Sequence, residues 1–196
     1  MTFATRIRDH ARHVALADGT RVYLRRLRET DLQRSREFYA ALSPRSRYLR
    51  LMQQAPRLPP STLNALRTQL RDPRCRVLVA TVARAGSDEI IAGGRIVPAH
   101  RRQTCEFALT VIDSWQGRGV GRVILGALLA AARELGYRRT EGYVLPSNFG
   151  MLGLARRSRM HLSAMPDDPQ VVRLTRTLLT GVRSYRHRPT RRLPAK

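Results

Sequence analysis

The sequence predicts an α/β fold built on one mixed sheet. Three observations carry that reading. The middle of the chain is a block of Val-, Ile- and Leu-rich segments of strand length. At Val120 the apolar period changes abruptly from two residues to that of an amphipathic helix. Short strand-like segments then return on either side of a further helix, so the order is strand, helices, three strands, helix, strand, helix, strand.

Taken in order, Thr20 to Leu27 alternates Val22 and Leu24 against polar neighbours and reads as a strand. Thr30-Asp31-Leu32-Gln33 has the form of a capping box, and Leu32, Ser35, Tyr39 and Leu42 behind it share one helical face. Ser43-Pro44 restarts a helix, with Ser at the N-cap and Pro in the first turn. Pro56, Pro59 and Pro60 break it, and Ser61 opens another helix through Leu70. Arg76 to Ala83 and Glu89 to Val97 read as a hairpin about a turn at Gly86-Ser87-Asp88. Thr104 to Ile112 is a third strand, with Cys105, Phe107, Leu109 and Val111 on one face and Glu106, Ala108, Thr110 and Ile112 on the other. Val120 to Leu135 is a helix stopped by Gly136. Thr140 to Leu145 is a strand, Asn148 to Ser158 a helix, and Gln170 to Leu178 a final strand.

The chain has 196 residues, enough for one domain with tails. Residues 1–18 are expected to form a loosely held arm, 19–180 the folded domain, and 181–196 a disordered basic tail. Hydrophobic content of 42% and charged content of 26% are globular values. No apolar run approaches the ~18 residues of a membrane span. Met1 to Ala17 lacks the apolar stretch of a secretory signal, and two cysteines are too few for a disulfide framework, so the cytoplasm is the expected compartment.

Charge is the unusual feature. The formal net charge is +23, and Lys196 is the only lysine. Three readings stand: a nucleic-acid surface, steering of acidic proteins or anionic cofactors, and solvated arginines with no specific task. The basic tail has little aromatic interleaving beyond Tyr185, so nucleic acid is not favoured as a partner.

The stretch Asp113-Ser114-Trp115-Gln116-Gly117-Arg118-Gly119-Val120-Gly121-Arg122 joins a strand to the long helix. Backbone N–H groups at a helix start lack internal partners, the macrodipole is positive there, and glycines let an anion approach the backbone. Together they make a phosphate cradle, to which Arg118 and Arg122 can add charge. The P-loop needs Gly-Lys-Ser/Thr, which is absent. The dinucleotide fingerprint needs a third glycine where Ile124 stands.

What remains is Q-x-x-G-x-G at Gln116, Gly119 and Gly121, which is similar to the acetyl-CoA loop of GNAT acetyltransferases. The resemblance spans roughly Thr20 to Leu179. Leu42 to Arg50, Cys105 to Ala108, and Leu145 to Leu152 with Leu154-Ala155-Arg156 resemble the acetyltransferase domain of bacterial protein lysine acetyltransferases that modify acyl-CoA synthetases. It implies a mixed, mostly antiparallel sheet of six to seven strands flanked by about four helices. The implied activity is acetyl transfer from acetyl-CoA, without a metal, to a primary amine, foremost a protein lysine. Small-molecule or N-terminal amines, and a non-catalytic acetyl-CoA sensor or nucleic-acid binder on the same fold, are the alternatives. A monomer or homodimer is expected.

Carried over residue by residue, the resemblance makes Glu106 the base, acting directly or through water; spacing alone leaves it equally a solvent-facing strand charge. Val111, Ile112, Asp113, Gln116, Gly117, Arg118, Gly119, Val120, Gly121, Arg122 and Asn148 are the implied cofactor contacts, with a backbone N–H near Val111 or Ile112 for the developing oxyanion. Asn148 is equally placed as a helix N-cap. Many relatives carry a tyrosine seven residues after this asparagine to protonate the thiolate; here Ala155 stands there, with Arg159-Met160 beyond it. Ser147, Ser158 and water are the remaining proton sources. Cys105 is read as a core residue, Trp115 as packing, and the five histidines as forming no metal site.

Overall fold

The computed structural model of the protein describes residues 11–53, 55–84, 87–166 and 168–178. The expected tail and the Gly86 of the expected turn lie outside them. Among the described residues, eight strands form one sheet: β1 (Arg12–Ala15), β2 (Arg21–Arg26), β3 (Arg76–Arg84), β4 (Ser87–Pro98), β5 (Thr104–Val111), β6 (Arg139–Val144), β7 (His161–Met165) and β8 (Asp168–Thr177). Their order across the sheet is β1-β2-β3-β4-β5-β6-β8-β7. The β5–β6 pair is parallel and every other neighbouring pair antiparallel. Five α-helices join them: α1 (Leu32–Ala40), α2 (Pro44–Leu51), α3 (Pro60–Arg71), α4 (Val120–Glu134) and α5 (Phe149–Arg157).

The sheet exceeds the expected six to seven strands through its edges. β1 lies within the stretch read as an arm, with Val14 opposite Val22, and β7 forms a hairpin with β8. Both edges are short, and most of their side chains are exposed or only partly covered, so no two-residue apolar alternation marks them.

Strand alternation sorts the helices onto two faces. Leu78, Ala80, Cys105 and Phe107 point into the main core with Ile124, Leu128 and Ala131 of α4. Val77 and Val79 point the other way, against Phe38 of α1 and Leu66 and Leu70 of α3. Glu106, between two core residues, therefore faces the α1–α3 side.

The helix signals work as local chemistry requires, with one exception. The Ser43 hydroxyl accepts the Ser46 N–H at 3.1 Å, as an N-cap. Gly136, at φ +82°, closes α4: Tyr137 N–H reaches Ala132 C=O and Gly136 N–H reaches Arg133 C=O, both at 3.0 Å. The expected capping box at Thr30–Gln33 is replaced by a 3₁₀ turn over Glu29–Asp31. Its carboxylate is Asp31, which accepts the Arg28 N–H at 2.8 Å and a bidentate bond from the buried Arg25 at 2.6 and 2.9 Å.

The sheet opens in one place. β5 and β6 pair only over Thr104↔Arg139, Cys105↔Thr140 and Glu106↔Glu141. Beyond that, β5 continues on β4 alone and β6 on β8 alone. The Phe107 ring sits at the fork against Gly142, where a Cβ would lie 2.6 Å from Phe107 Cε1. Phe107 is core, so it cannot swing out. Gly142→Ala is expected to cost about 1–3 kcal/mol by overpacking, measurable by chemical denaturation; an unchanged midpoint would show that the ring yields freely.

Candidate active site

The fork is the mouth of a cleft of about 510 Å³. Its walls are the far end of β5 (Leu109, Thr110, Val111), the glycine loop, the start of α4, α5 from its cap Asn148 to Arg157, and one side of α2. β5 supplies a free edge. Ile112 N–H bonds back to Ile91 C=O at 2.9 Å, so Val111, one residue earlier, turns its own N–H and C=O away from β4 into the gap. Of the two N–H groups expected to serve a developing oxyanion, that of Val111 opens into the gap, whereas Ile112 is buried with its N–H in use.

The glycine loop has the backbone its sequence requires. Gly117 and Gly119 have φ of +76° and +94°, in the left-handed region. Gly119 caps α4, whose first internal bonds run from Arg122 and Val123 N–H to Gly119 C=O. The N–H groups before these lack helical partners and open toward the cleft. A Cβ on Gly117 or Gly119 would meet no protein atom, so the left-handed backbone, not crowding, is what calls for glycine at both. Gly121 permits close helix packing: a Cβ there would lie 3.3 Å from Leu154 Cδ2. Val120 is fully buried, anchoring the helix start while leaving only its backbone to the loop.

The structure divides the expected contacts. Val111, Gln116, Gly117, Gly119, Gly121, Arg122 and Asn148 line the cleft; Ile112, Asp113, Arg118 and Val120 do not. The Gln116 amide is tied back, donating to Val111 C=O at 3.1 Å and Ser46 Oγ at 3.3 Å. The Asp113 carboxylate accepts Ser43 N–H and the hydroxyls of Ser43 and Ser46 at 2.7–2.9 Å, holding the start of α2 to the loop. Burial raises its pKa, but those hydrogen bonds outweigh burial and hold it below the ordinary carboxylate range. Arg118 turns outward to Asp18 at 2.7 Å and lies over the Trp115 ring, so it fastens the β1–β2 turn. Asn148 caps α5, its Oδ1 accepting Met151 N–H at 3.1 Å, and also lines the cleft.

Glu106 is half-buried at the fork and is the last β5 residue paired with β6. Ala155, where many relatives have tyrosine, is wholly buried. Neither Ser147 nor Ser158 lines the cleft. Burial lifts the Cys105 thiol to about 11, which removes it as a nucleophile near neutral pH. Residues the sequence did not mark also line the cleft: Ser46, Leu49, Arg50, Leu109, Thr110, Met151 and Arg157. Three of them, Ser46, Leu49 and Arg50, come from the helix that Ser43-Pro44 announces, but nothing local distinguishes them.

A sheet forked beside a glycine-capped helix N-terminus, with a carboxylate at the fork, suits a group-transfer enzyme with a phosphate-bearing donor. Comparison with known proteins agrees. The model of the acetyltransferase (GNAT) family matches residues 44–159. Acetyltransferase PA5475 of Pseudomonas aeruginosa is 31% identical over 125 residues, covering 64% of this chain and 67% of that one. The solved GNAT domain of Streptomyces lividans PAT superposes with a TM-score of 0.75 at 30% identity, covering 86% of this chain and 97% of that domain. Acetyltransferase Pat of Mycolicibacterium smegmatis is 40% identical over 63 residues, 32% of this chain but 19% of Pat. The chain belongs to the GNAT acetyltransferase family, whose acetyl donor is acetyl-CoA.

The open glycine cradle and the free β5 edge suit the pyrophosphate and pantetheine of that donor. Arg122 and Arg118 can then be told apart. Arg122→Ala is expected to weaken acetyl-CoA binding about 5-fold, less at high salt, as for an exposed ion pair. Arg118→Ala is expected to change it by less than about 2-fold. Calorimetric titration of both variants checks this; equal losses would put Arg118 in the donor site.

Proposed function

We propose that the chain transfers the acetyl group of acetyl-CoA to a primary amine, with a protein lysine as acceptor and Glu106 as base. The observation that carries it is the fork itself: one strand edge faces the donor cleft while Glu106 stands where the strands part. Resemblance over Leu42 to Arg50, Cys105 to Ala108 and Leu145 to Arg156 supports a protein acceptor. So does the +23 charge, which favours acidic partners.

A lysine amine, with pKa ~10.4, must lose a proton at a cost of roughly 4.6 kcal/mol at pH 7. Glu106 takes that proton directly or through one water. The neutral nitrogen attacks the thioester carbonyl carbon, and Val111 N–H stabilises the oxyanion. The carbon–sulfur bond breaks, and the second proton of the nitrogen passes through water to the thiolate, since buried Ala155 offers no hydroxyl. Asn148 and the glycine loop hold the donor in place.

The test is incubation with labelled acetyl-CoA and a host lysate, followed by peptide mapping. Label on specific lysine side chains supports the reading. Absence of labelled lysine, with acetyl-CoA binding intact, overturns the lysine acceptor.

A further inference from the structure

Behind the inner end of the cleft lies a second cavity of about 100 Å³, between the sheet and the α1–α3 layer. Leu27, Phe38, Leu51, Leu58 and Val79 make much of its wall. Arg50 and Thr110 line both spaces and so form the wall they share, and Arg95 lines the cavity. Arg95 stands opposite Ala108 in the β4–β5 register, and Val97 opposite Glu106, so Arg95 and Glu106 are diagonal neighbours on one sheet face. Arg50 reaches the same spot from α2. Burial first, and then the nearby Arg95, push its pKa down to about 10, while Glu106 draws it up.

These cations have no fixed partner. Among the described residues, neither Arg50 nor Arg95 makes a hydrogen bond or ion pair, and Arg95 Nε and Thr110 Oγ1 are buried without a partner. Arg25, by contrast, is buried against Asp31. Both arginines are half-buried, and a guanidinium partly withdrawn from water with no hydrogen-bonded counter-ion favours an anion beside it. Two guanidiniums beside one carboxylate leave a place for one more negative group.

We infer that Arg50 and Arg95 bind the α-carboxylate of a free amino acid with an apolar side chain, a second acceptor class for this enzyme. One carbon separates amine and carboxylate in such a molecule, which matches a base beside the two guanidiniums. The side chain enters the cavity behind. A cavity of about 150 Å³ takes a benzene ring, so this one suits roughly three or four carbons, the size of valine, leucine or methionine. A lysine side chain presented by a protein brings no carboxylate to this point. The ammonium loses one proton through Glu106, its nitrogen bonds to the acetyl carbon, the carbon–sulfur bond breaks, and the second proton ends on the thiolate. The products are an N-acetyl amino acid and CoA. This rests on reading the cleft as the donor site and Glu106 as base.

The experiment compares leucine with leucinamide, first by calorimetry without CoA and then by thiol release from acetyl-CoA. Leucine is expected to bind and be acetylated, with kcat/KM at least about 10-fold above that of leucinamide. Arg95→Gln is expected to abolish that preference and to raise the leucine KM about 10-fold or more, with acetyl-CoA affinity unchanged. If the first variant does not fold, Arg50→Gln substitutes, read by loss of the leucine-over-leucinamide preference alone because Arg50 also lines the donor cleft. Equal use of leucine and leucinamide, or no binding of leucine, overturns the inference. So does an Arg95-dependent preference for succinyl-CoA over acetyl-CoA with a lysine peptide, because the carboxylate then arrives on the donor. Loss of acetyl-CoA binding alone would overturn the donor-site reading, while leucine binding would still decide the carboxylate site.

Discussion

Glu106→Gln is expected to lower kcat/KM for the amine by about 10²–10⁴-fold near neutral pH, the usual contribution of a positioned general base. The replacement keeps shape and hydrogen-bonding reach but cannot take a proton. Glu106 lies outside the cleft lining and makes no hydrogen bond to the glycine loop, so acetyl-CoA affinity should stay within about 2-fold. The pH profile carries the diagnosis. Without the base, the rate should climb with pH in step with the neutral fraction of the amine itself, so the deficit narrows as pH rises toward the amine pKa. A loss below about 3-fold, or a loss equal at all pH values, would remove Glu106 from the chemistry.

Asp31→Ala should be the most damaging substitution for stability, at about 3–5 kcal/mol. Asp31 is 1% exposed and Arg25 5% exposed, so removing the carboxylate leaves a buried guanidinium unpaired. It also releases the Arg28 N–H at the start of the 3₁₀ turn that leads into α1. For a domain of this size the midpoint should fall by roughly 6–20 °C. The acid limb gives an independent check. Burial raises the Asp31 pKa, but bonds from Arg25 and the Arg28 N–H outweigh it, so the folded value lies below the ordinary 3.8. A depressed carboxylate contributes stability in full above its unfolded pKa and loses it as pH falls through the folded one. Wild type should therefore lose its advantage over Asp31→Ala in strong acid. An advantage that persists there would assign the effect to packing.

Both residues show where sequence reasoning reaches and where it stops. The α4 start was legible because three glycines, a strand before and an amphipathic period after are all local. So was the Ser43 cap. Asp31 reads in the sequence as part of a capping box; its partner Arg25 sits on the preceding strand, where one arginine among 37 basic residues carries no mark. Arg118 read as a phosphate ligand because it stands in the loop, and Asp18, about a hundred residues earlier, claims it. Asp113 likewise turned toward Ser43 and Ser46. Edge strands β1 and β7 were invisible for want of buried alternation. Arg50 and Arg95 converge from a helix and a strand, so only the folded sheet brings them to Glu106.

The Phe107–Gly142 contact bears on ligand exchange. With a core side chain seated between them, β5 and β6 should stay apart whether or not a ligand is bound. The donor then meets a finished binding edge, and CoA can depart without the sheet closing behind it. Association should approach the rate of diffusional encounter with an electropositive surface, and should slow as salt is added.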